Sequence, residues 1–488
     1  MPEPDLKLDA PPHFDAPDLS GVEAGLSATE PVETRLTTTY WDTPDLRLAR
    51  WGTSLHYRSG DGWTVKLAPT EEHEFPGGPS HPPDGALDLL RAFVRTAKLK
   101  PVASMRTRRR AISLVNGDGK EQAEVVDDEV SVLDGRRIAV RFRQIEVEVR
   151  APAANGMLDN VVARLREAGA GPPDPAARHV RAMGPRSQLP PEVSPSSEIS
   201  QDSNAGSVIQ AAIAGPVARL LGSDALVRLG GDPESVHQAR VATRRLRSDL
   251  RTFATMLDAD WADSIRTELE WLGETLGDVR DADILSERLS VQLRRIGSAG
   301  GNRRRLSRQL STRRRNARAR LLTAVRSERY IDLLERLVAA AQAPQLAEAA
   351  GQPAVEALPP LVKRTWDRLT NAVRKLDKVP TDEQLHSVRI AAKRVRYAAE
   401  AVAPVFGKPA RRFAEAVADL QQTLGDYNDS VVTTAWLRGA VSDMEPSTAF
   451  IAGALSEKER GMAQTMKAAW PAVWKRLSRK KMHQWMEK

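Results

Sequence analysis

The chain has 488 residues, and its lysines and arginines exceed its aspartates and glutamates by 8. This length allows two or three domains that each bury a core, and the positive balance favours anionic ligands. Because the sequence contains no cysteine, disulfides, zinc–thiolate sites and thiol catalysis are excluded.

The sequence carries no signal for export or for membrane insertion. The first residues, Met-Pro-Glu-Pro-Asp, are acidic and lack the apolar region of a signal peptide. No run reaches the roughly 18 consecutive apolar residues that a membrane-spanning helix needs. We therefore expect a soluble cytoplasmic protein that has no membrane partner.

Residues 1–150 have the two-residue hydrophobic period that is typical of β-strands. The alternation of apolar and polar residues is clear at 3–8, 63–67 and 144–150. The pattern predicts an antiparallel β domain with two helical insertions, near 84–98 and 156–168.

The polar faces of these strands carry charges of both signs. Glu3, Asp5 and Lys7 share one face, and Glu146 and Glu148 form a second carboxylate pair on another strand. Mg²⁺ and Mn²⁺ prefer carboxylate oxygens, while basic side chains bind phosphate oxygens. A barrel of these strands would suit a metal-bound polyphosphate, whereas a solvated sheet face is the ordinary alternative for any one strand. The intervening strands supply the basic candidates Arg58, Lys66, Arg106 and Arg108.

At these residues the chain resembles the CYTH family, the triphosphate tunnel metalloenzymes, over about residues 1–185. The resemblance rests on Glu3-x-Asp5-x-Lys7, Trp63-Thr-Val-Lys66, Ile145-Glu-Val-Glu148 and further short motifs between them. It implies an eight-stranded antiparallel tunnel in which a divalent metal assists hydrolysis of a terminal phosphoanhydride. The resemblance implies metal ligands at Glu3, Asp5, Glu146 and Glu148, a catalytic set of these four with Lys7, and phosphate binding by Lys7, Arg58, Lys66, Arg106, Arg108 and Arg178.

Three positions depart from the family pattern. Asp5 stands where the family usually has glutamate, and His56 replaces one of two paired arginines. Arg178 replaces a late lysine, which exchanges a point charge for a planar fork. These departures leave a second interpretation open, a non-catalytic polyphosphate-binding protein whose tunnel has lost turnover. Two further histidines, His73 and His179, are interpreted as surface residues.

The character of the sequence changes in its middle. Residues 187–204 are rich in proline and serine and predict a linker between two domains, 1–186 and 205–485. After about residue 205 the hydrophobic period becomes 3.6, which is typical of amphipathic helices.

A basic pattern occurs twice in the helical part, at positions 149 residues apart. On a helix, each copy places its basic side chains in one stripe opposite the apolar residues. Two such stripes at matched phase predict one pseudo-symmetric site for a large anion. The candidate residues are His237, Arg240, Arg244, Arg245 and Arg247 in the first copy and His386, Arg389, Lys393, Arg394 and Arg396 in the second.

Three interpretations of the stripes compete. A solvated helix surface is the ordinary meaning of one such stripe, but it does not account for the duplication. Nucleic acid would satisfy the electrostatics, although few aromatic residues lie near the stripes and no helix-turn-helix or zinc motif is present. A small, dense polyanion requires only closely spaced cations, so it is the preferred ligand and nucleic acid is disfavoured.

The double signature resembles the CHAD domain, the conserved histidine α-helical domain, over about residues 205–485. The resemblance implies two helical bundles, related by a pseudo-two-fold axis, around a basic channel that binds inorganic polyphosphate. A Leu-Gly-Asp segment follows each copy, at 276–278 and 424–426, and is interpreted as a helix end followed by an aspartate cap. An alternative role for the carboxylates in and after this segment is to bind a metal or to form salt bridges to the stripes. These carboxylates are Asp278, Asp281, Asp426 and Asp429.

The sequence thus predicts an α+β protein with an antiparallel β tunnel followed by an all-α pair of bundles. The tunnel is expected to hydrolyse inorganic tripolyphosphate and short polyphosphate with Mg²⁺ or Mn²⁺. The helical domain is expected to bind long-chain polyphosphate in the cytoplasm, where it could associate with polyphosphate granules.

Overall fold

The chain forms two compact units, Met1–Pro191 and Glu192–Lys488. The boundary between them falls inside the segment that the sequence predicts as a linker. The computed structural model describes residues 6–68, 71–150, 156–174, 176–194, 198–296, 300–440 and 446–487.

The first unit is built on an antiparallel sheet. Its strands are β1 (Leu6–Ala10), β2 (Ser27–Ala28), β3 (Val32–Asp42), β4 (Ser54–Arg58), β5 (Gly62–Leu67), β6 (Glu71–Phe75), β7 (Lys100–Val115), β8 (Glu121–Asp134) and β9 (Arg137–Val149). Its helices are α1 (Arg47–Arg50), α2 (Asp84–Val94), α3 (Met157–Glu167) and α4 (Arg178–Met183). The strand order is β1-β9-β8-β7-β3-β4-β5-β6, and β2 pairs with β7. The two predicted helical insertions correspond to α2 and α3.

The two faces of this sheet are covered by different helices. On the outer face, Ile145 and Val147 of β9 pack with Val161 and Leu165 of α3 in an apolar core. On the inner face, β3, β7 and β8 form a second core, against which Met183 of α4 packs. Side chains alternate between the faces along each strand, so the residues between the outer-core positions point inward.

The sheet curves around α4. Lys7 of β1 and Lys66 of β5 both act electrostatically on His179 of α4. Five strands separate β1 from β5 in the sheet order, a distance of about 29 Å in a flat sheet. Both ends of the sheet can therefore approach one short helix only because the sheet is strongly curved.

The second unit is all-helical in its described residues, which confirms the predicted order of an antiparallel sheet followed by helices. Its α-helices are α5 (Ala205–Leu229), α6 (Pro233–Thr252), α7 (Ala259–Ile296), α8 (Gly300–Val325), α9 (Glu328–Gln342), α10 (Ala354–Ala357), α11 (Pro359–Arg374), α12 (Asp382–Phe406), α13 (Lys408–Ala440), α14 (Pro446–Leu477) and α15 (Lys480–His483).

The duplication in the sequence is a duplication of structure. Moving along the chain by the 149 residues that separate the two basic patterns takes α6 onto α12, α7 onto α13 and α8 onto α14. Helices α6 and α12 pack against each other, so the two copies of the basic pattern lie side by side.

By length and composition, α5 is the one helix in the described part of the chain that could cross a membrane. Most of its most apolar stretch is buried inside the helical unit, and it contains Gln210, Arg219 and Asp224. Burial of this kind is what a central helix of a helical bundle requires.

Candidate functional site

A cluster of charged and ring-bearing side chains lies on the inner face of the curved sheet. Directly paired residues of antiparallel strands share a face, and the register pairs Lys7 with Glu146 and Arg109 with Asp128. We call this set the inner-face cluster: Lys7, Tyr40, His56, Arg58, Lys66, Arg109, Asp128, Glu146, Arg178 and His179.

Arg178 of α4 lies between two carboxylates of this cluster. It forms ion pairs with Asp128 and with Glu146, the latter at 3.7 Å. Arg109 binds Asp128 through two hydrogen bonds of 2.9 Å, and Lys7 Nζ lies 3.2 Å from Glu146. Burial, with the charges of Arg109 and other cations, lowers the pKa of Arg178 to about 10. The guanidinium is thus held in a crowded cationic environment by two carboxylates.

Two imidazole rings flank Tyr40. The His56 and His179 ring centroids each lie 5.1 Å from that of Tyr40, and His179 is stacked on it. Burial and nearby cations lower the pKa of each histidine to about 4, so both rings are neutral at physiological pH. The sequence interpretation of His179 as a surface residue is therefore wrong, because α4 carries it against the inner face of the sheet.

Arg106 and Arg108 do not join the cluster. They are exposed and alternate along β7 with the buried Met105 and Thr107. Arg108 instead donates a 2.7 Å hydrogen bond to Glu33 on the outer face. Their prediction as tunnel residues does not fit this geometry. Side chains alternate between the two faces of β7, so Arg109 points inward and Arg106 and Arg108 point outward.

The metal-ligand prediction is only partly accessible to the structure. Glu3 and Asp5 lie outside the described residues. Glu146 and Glu148 are two positions apart on β9 and share the inner face, and Glu148 lies 3.6 Å from Arg150. No group of three acidic or histidine side chains converges in the described part of the chain. Mg²⁺ is usually bound through only one or two carboxylates together with substrate phosphates, and this pair meets that requirement.

A second site lies in the helical unit, between α6 and α12. It is a cavity of about 430 Å³, which we call the basic channel. Its lining residues are Arg240, Arg244, Arg247, Ser248, Arg251, Arg266, His386, Arg389, Ile390, Lys393, Arg394 and Tyr397.

Few carboxylates offset the cations of the basic channel. Arg240 forms a 2.8 Å ion pair with Asp281, Arg247 pairs with Glu270, and Arg266 pairs with Asp263. Burial, followed by the charges of Arg244 and other arginines, lowers the pKa of Lys393 to about 6. Burial alone can lower the pKa of a lysine this far, and the neighbouring arginines act in the same direction, so the channel offers little negative charge to stabilise a charged lysine.

The structure separates the candidate stripe residues into two groups. Arg240, Arg244, Arg247, His386, Arg389, Lys393 and Arg394 line the channel. Arg245 of α6 binds Glu400 of α12 at 2.8 Å and so joins the two helices, and Arg396 binds the same carboxylate at 2.7 Å from within α12. His237 is half-buried on α6 near Arg280 and is not a lining residue.

The Leu-Gly-Asp segments are not helix ends. Helices α7 and α13 run without a break through 276–278 and 424–426, so this prediction is wrong. A Cβ at Gly277 would lie 3.6 Å from the Arg240 guanidinium, which shows how closely α6 approaches α7 here. One turn later, Asp281 binds that same arginine. This part of α7 therefore positions the channel residue Arg240 and does not cap a helix. The alternative interpretation from the sequence, a salt bridge to the stripe, fits this contact.

The depressed pKa of Lys393 predicts how stability depends on pH. In the unfolded chain a lysine has a pKa of about 10.4, so between about pH 6 and pH 10 the unfolded state binds a proton that the folded state lacks. Stability should rise with pH across this window. We expect Lys393→Met to reduce that slope and to raise the Tm at pH 7 by at least about 2–4 °C. Thermal unfolding at a series of pH values measures both effects.

The matched control for this prediction is Lys363→Met, because Lys363 is partly exposed and pairs with Asp367 on α11. It should leave the pH slope unchanged. An unaltered slope in the Lys393→Met protein would mean that Lys393 is charged in the folded state and that the channel is less cationic than its geometry indicates.

Comparisons with known proteins agree with the two-part architecture. A CYTH domain model matches residues 1–178 and a CHAD domain model matches residues 211–438. Two uncharacterized proteins from strains of Mycobacterium tuberculosis are each 28% identical to the chain over 472 residues, which is 88% of this chain and 88% of each relative.

Two solved structures are similar to the chain over part of its length. PptA from Streptomyces chartreusis has a TM-score of 0.48 and 26% identity, and the match covers 56% of this chain and all of PptA. The CHAD domain from the plant Ricinus communis has a TM-score of 0.48 and 25% identity, over 57% of this chain and 93% of that domain. The chain thus contains a region that matches the CYTH domain model, followed by a region that matches the CHAD domain model.

Proposed function

We propose that this protein is a divalent-metal-dependent hydrolase of inorganic tripolyphosphate and short polyphosphate, and that its helical domain binds long-chain polyphosphate. One observation carries the catalytic part of the proposal. Lys7, Arg58, Lys66, Arg109 and Arg178 come from separate elements and converge on one concave face. Cations at this density neutralise the charge of a triphosphate, whose oxygens they bind with charge-assisted hydrogen bonds.

Glu146 and Glu148 are the described residues that would hold the metal, joined by the predicted ligands Glu3 and Asp5. A divalent metal held there would supply stabilisation of the phosphate charge and a water molecule of lowered pKa. Without substrate, Lys7 and Arg178 offset the charge of Glu146. An entering triphosphate would replace Glu146 as the partner of these two cations. The oxygens of Glu146 would then be available to the metal.

The remaining residues position the substrate and exclude water. The neutral rings of His56 and His179, with Tyr40, form an aromatic wall of the site that adds no charge. Hydrolysis breaks the terminal P–O–P bond, with water supplying the oxygen that joins the released phosphate. The attacking water and the cations suffice for this step, so no side-chain nucleophile is required.

In the helical domain, the ligand proposed for the basic channel is polyphosphate. Tyr397 is the aromatic residue that lines the channel, and its hydroxyl accepts a 2.8 Å hydrogen bond from Arg244. It is 3% exposed and is not available to stack on a base. Nucleic acid is therefore disfavoured, and retention of the protein in the cytoplasm on polyphosphate granules is part of the same proposal.

A second candidate function is polyphosphate binding without turnover. The contacts of Arg178 with both Asp128 and Glu146 favour it, because they occupy the inner-face carboxylates. Phosphate release from tripolyphosphate, measured across a titration of Mg²⁺ and of Mn²⁺, separates the two functions. We expect release that depends on metal and is abolished by chelator. Tight polyphosphate binding with no release at any metal concentration would establish the second function in place of the first.

A further inference from the structure

The charge of helix α8 departs from the pseudo-symmetry of the helical unit. Its segment, 300–325, contains nine arginines and no acidic residue. Its counterpart α14 carries Glu457 and Glu459 against five basic residues, a net charge of +3 where α8 has +9. The basic patterns of α6 and α12 are duplicated, whereas the charge of α8 is not. The excess on α8 thus requires an explanation apart from the basic channel.

One face of α8 borders a cavity of about 1160 Å³ between α7, α8 and α13, which we call the α8 groove. Arg308 and Arg313 are exposed on this face and form no ion pair in the described part of the chain. Arg320 also lines the groove and binds Asp278 at 2.7 Å. The remaining lining residues are Gln309, Thr312, Asn316, Ala317, Trp436, Gly439 and Ala440.

The groove adjoins the basic channel through α7. Asp278 lies in the groove and Asp281 binds the channel residue Arg240. The two aspartates are three residues apart on one helix, so they lie about 4.5 Å apart along its axis. Each aspartate forms an ion pair with an arginine. These ion pairs offset the negative charge that lies between the two basic surfaces.

We propose that the α8 groove is a second polyanion-binding surface, which takes the part of a long polyphosphate chain that extends beyond the basic channel. The inference rests on the proposed binding of polyphosphate and adds a dependence on chain length. A chain of three phosphates is too short to extend beyond the site that binds it, while a chain of many phosphates reaches Arg308 and Arg313 as well.

Polyphosphate fits this groove better than nucleic acid does. Trp436 is the aromatic residue that lines it, and its side chain is partly buried against an apolar cluster that includes Leu306 and Leu310 of α8. A ring held in this way does not stack on successive bases, which is the interaction that single-stranded nucleic acid requires. Unpaired arginines with polar neighbours are sufficient for a phosphate chain.

The test compares two ligands on the full-length protein, tripolyphosphate and polyphosphate of about 100 units, using Arg308→Glu with Arg313→Glu. We expect long-chain affinity to fall about tenfold or more and its dependence on salt to weaken by about two counterions. Tripolyphosphate binding should be unchanged. The control is Arg374→Glu with Arg411→Glu, which makes the same change in net charge at exposed sites outside both cavities.

A second measurement does not depend on the folding of the charge-reversed protein. Trp436 is one of ten tryptophans, so the fluorescence difference between the wild type and Trp436→Phe isolates its signal. Long polyphosphate should change this difference signal, and saturating tripolyphosphate should not. A signal that responds equally to both ligands would overturn the inference.

The outcomes distinguish this inference from the function on which it rests. If the wild type binds no polyphosphate of any length, the proposed function fails and the inference fails with it. If the wild type binds long polyphosphate and the double variant binds it with the same affinity and salt dependence, only the inference fails. If RNA displaces long polyphosphate at a lower concentration than the reverse, the groove is a nucleic-acid surface and the polyphosphate assignment is overturned.

Discussion

Charge reversal at two facing positions of the basic channel, Arg244→Glu with Arg389→Glu, is expected to lower the affinity for long-chain polyphosphate 100-fold or more. Each lost charge-assisted hydrogen bond is worth about 1.5–3 kcal/mol, so two losses correspond to at least about 3 kcal/mol. Arg244 lies on α6 and Arg389 on α12, and both line the cavity. Binding measured by calorimetry at constant salt gives the affinity.

The same variants report on stability, which separates loss of binding from loss of fold. Burial, and the charges of Arg244 and Arg240, lower the pKa of Arg389, so the empty channel is under electrostatic repulsion. Relief of this repulsion should offset the loss of the Arg244–Tyr397 hydrogen bond, so the Tm should change little while binding is lost. The milder pair Arg244→Gln with Arg389→Gln should behave in the same way. The exposed pair Arg374→Glu with Arg411→Glu should not weaken channel binding. Unchanged affinity in a folded channel variant would remove this cavity as the binding site.

Loss of both inner-face carboxylates of β9, by Glu146→Gln with Glu148→Gln, is expected to reduce metal-dependent phosphate release at least about 100-fold. Glutamine keeps the shape of each side chain but supplies a weaker oxygen ligand, and catalysis is sensitive to small losses of positioning. The rate should also require more metal for half-activation. Phosphate release across a metal titration measures both quantities.

A matched control lies on the same sheet with the opposite orientation. Glu129 of β8 faces outward, is about half exposed and lies 4.0 Å from Arg108. Glu129→Gln should leave the rate unchanged. Full activity in the double β9 variant would show that these carboxylates bind no catalytic metal and would leave Asp128 as the remaining described carboxylate of the inner-face cluster.

Periodicity in the sequence was sufficient to predict the two kinds of structure and the duplicated site. The two-residue period reflects strands that have an apolar core on one face, and the 3.6-residue period reflects helices with one buried stripe. The spacing of His237 and His386 revealed the repeat. The sequence also indicated that α6 and α12 lie together, because two cationic stripes with the same phase can share one ligand.

Strand orientation was harder to predict where like residues are consecutive. The run from Arg106 to Arg110 places arginines on both faces of β7, so its sequence alone does not select the inward side chain. The selection depends on Asp128, which lies opposite Arg109 across the β7–β8 register. Such a pairing is a tertiary property. Similarly, nothing near His179 in the sequence indicates that α4 lies within a curved sheet.

The Leu-Gly-Asp segments show how packing can override local preference. Glycine commonly ends a helix, yet α7 continues through Gly273 and Gly277. A Cβ at Gly273 would lie 3.5 Å from Thr243 on α6, in ordinary van der Waals contact, so α7 packs against α6 along this stretch. The stabilisation from this packing outweighs a glycine penalty of about 1 kcal/mol per residue.

The contacts between α6 and α12 have a consequence for the autonomy of the two repeats. Arg244 hydrogen-bonds to Tyr397, and Arg245 forms an ion pair with Glu400, so each bond joins one half of the helical unit to the other. A molecule cut between the repeats would expose Tyr397, which is otherwise buried, and would leave Arg245 with only Asp249 of its own helix as a carboxylate partner. Neither half contains a complete cavity wall, so the duplicated segments are interdependent parts of a single receptor.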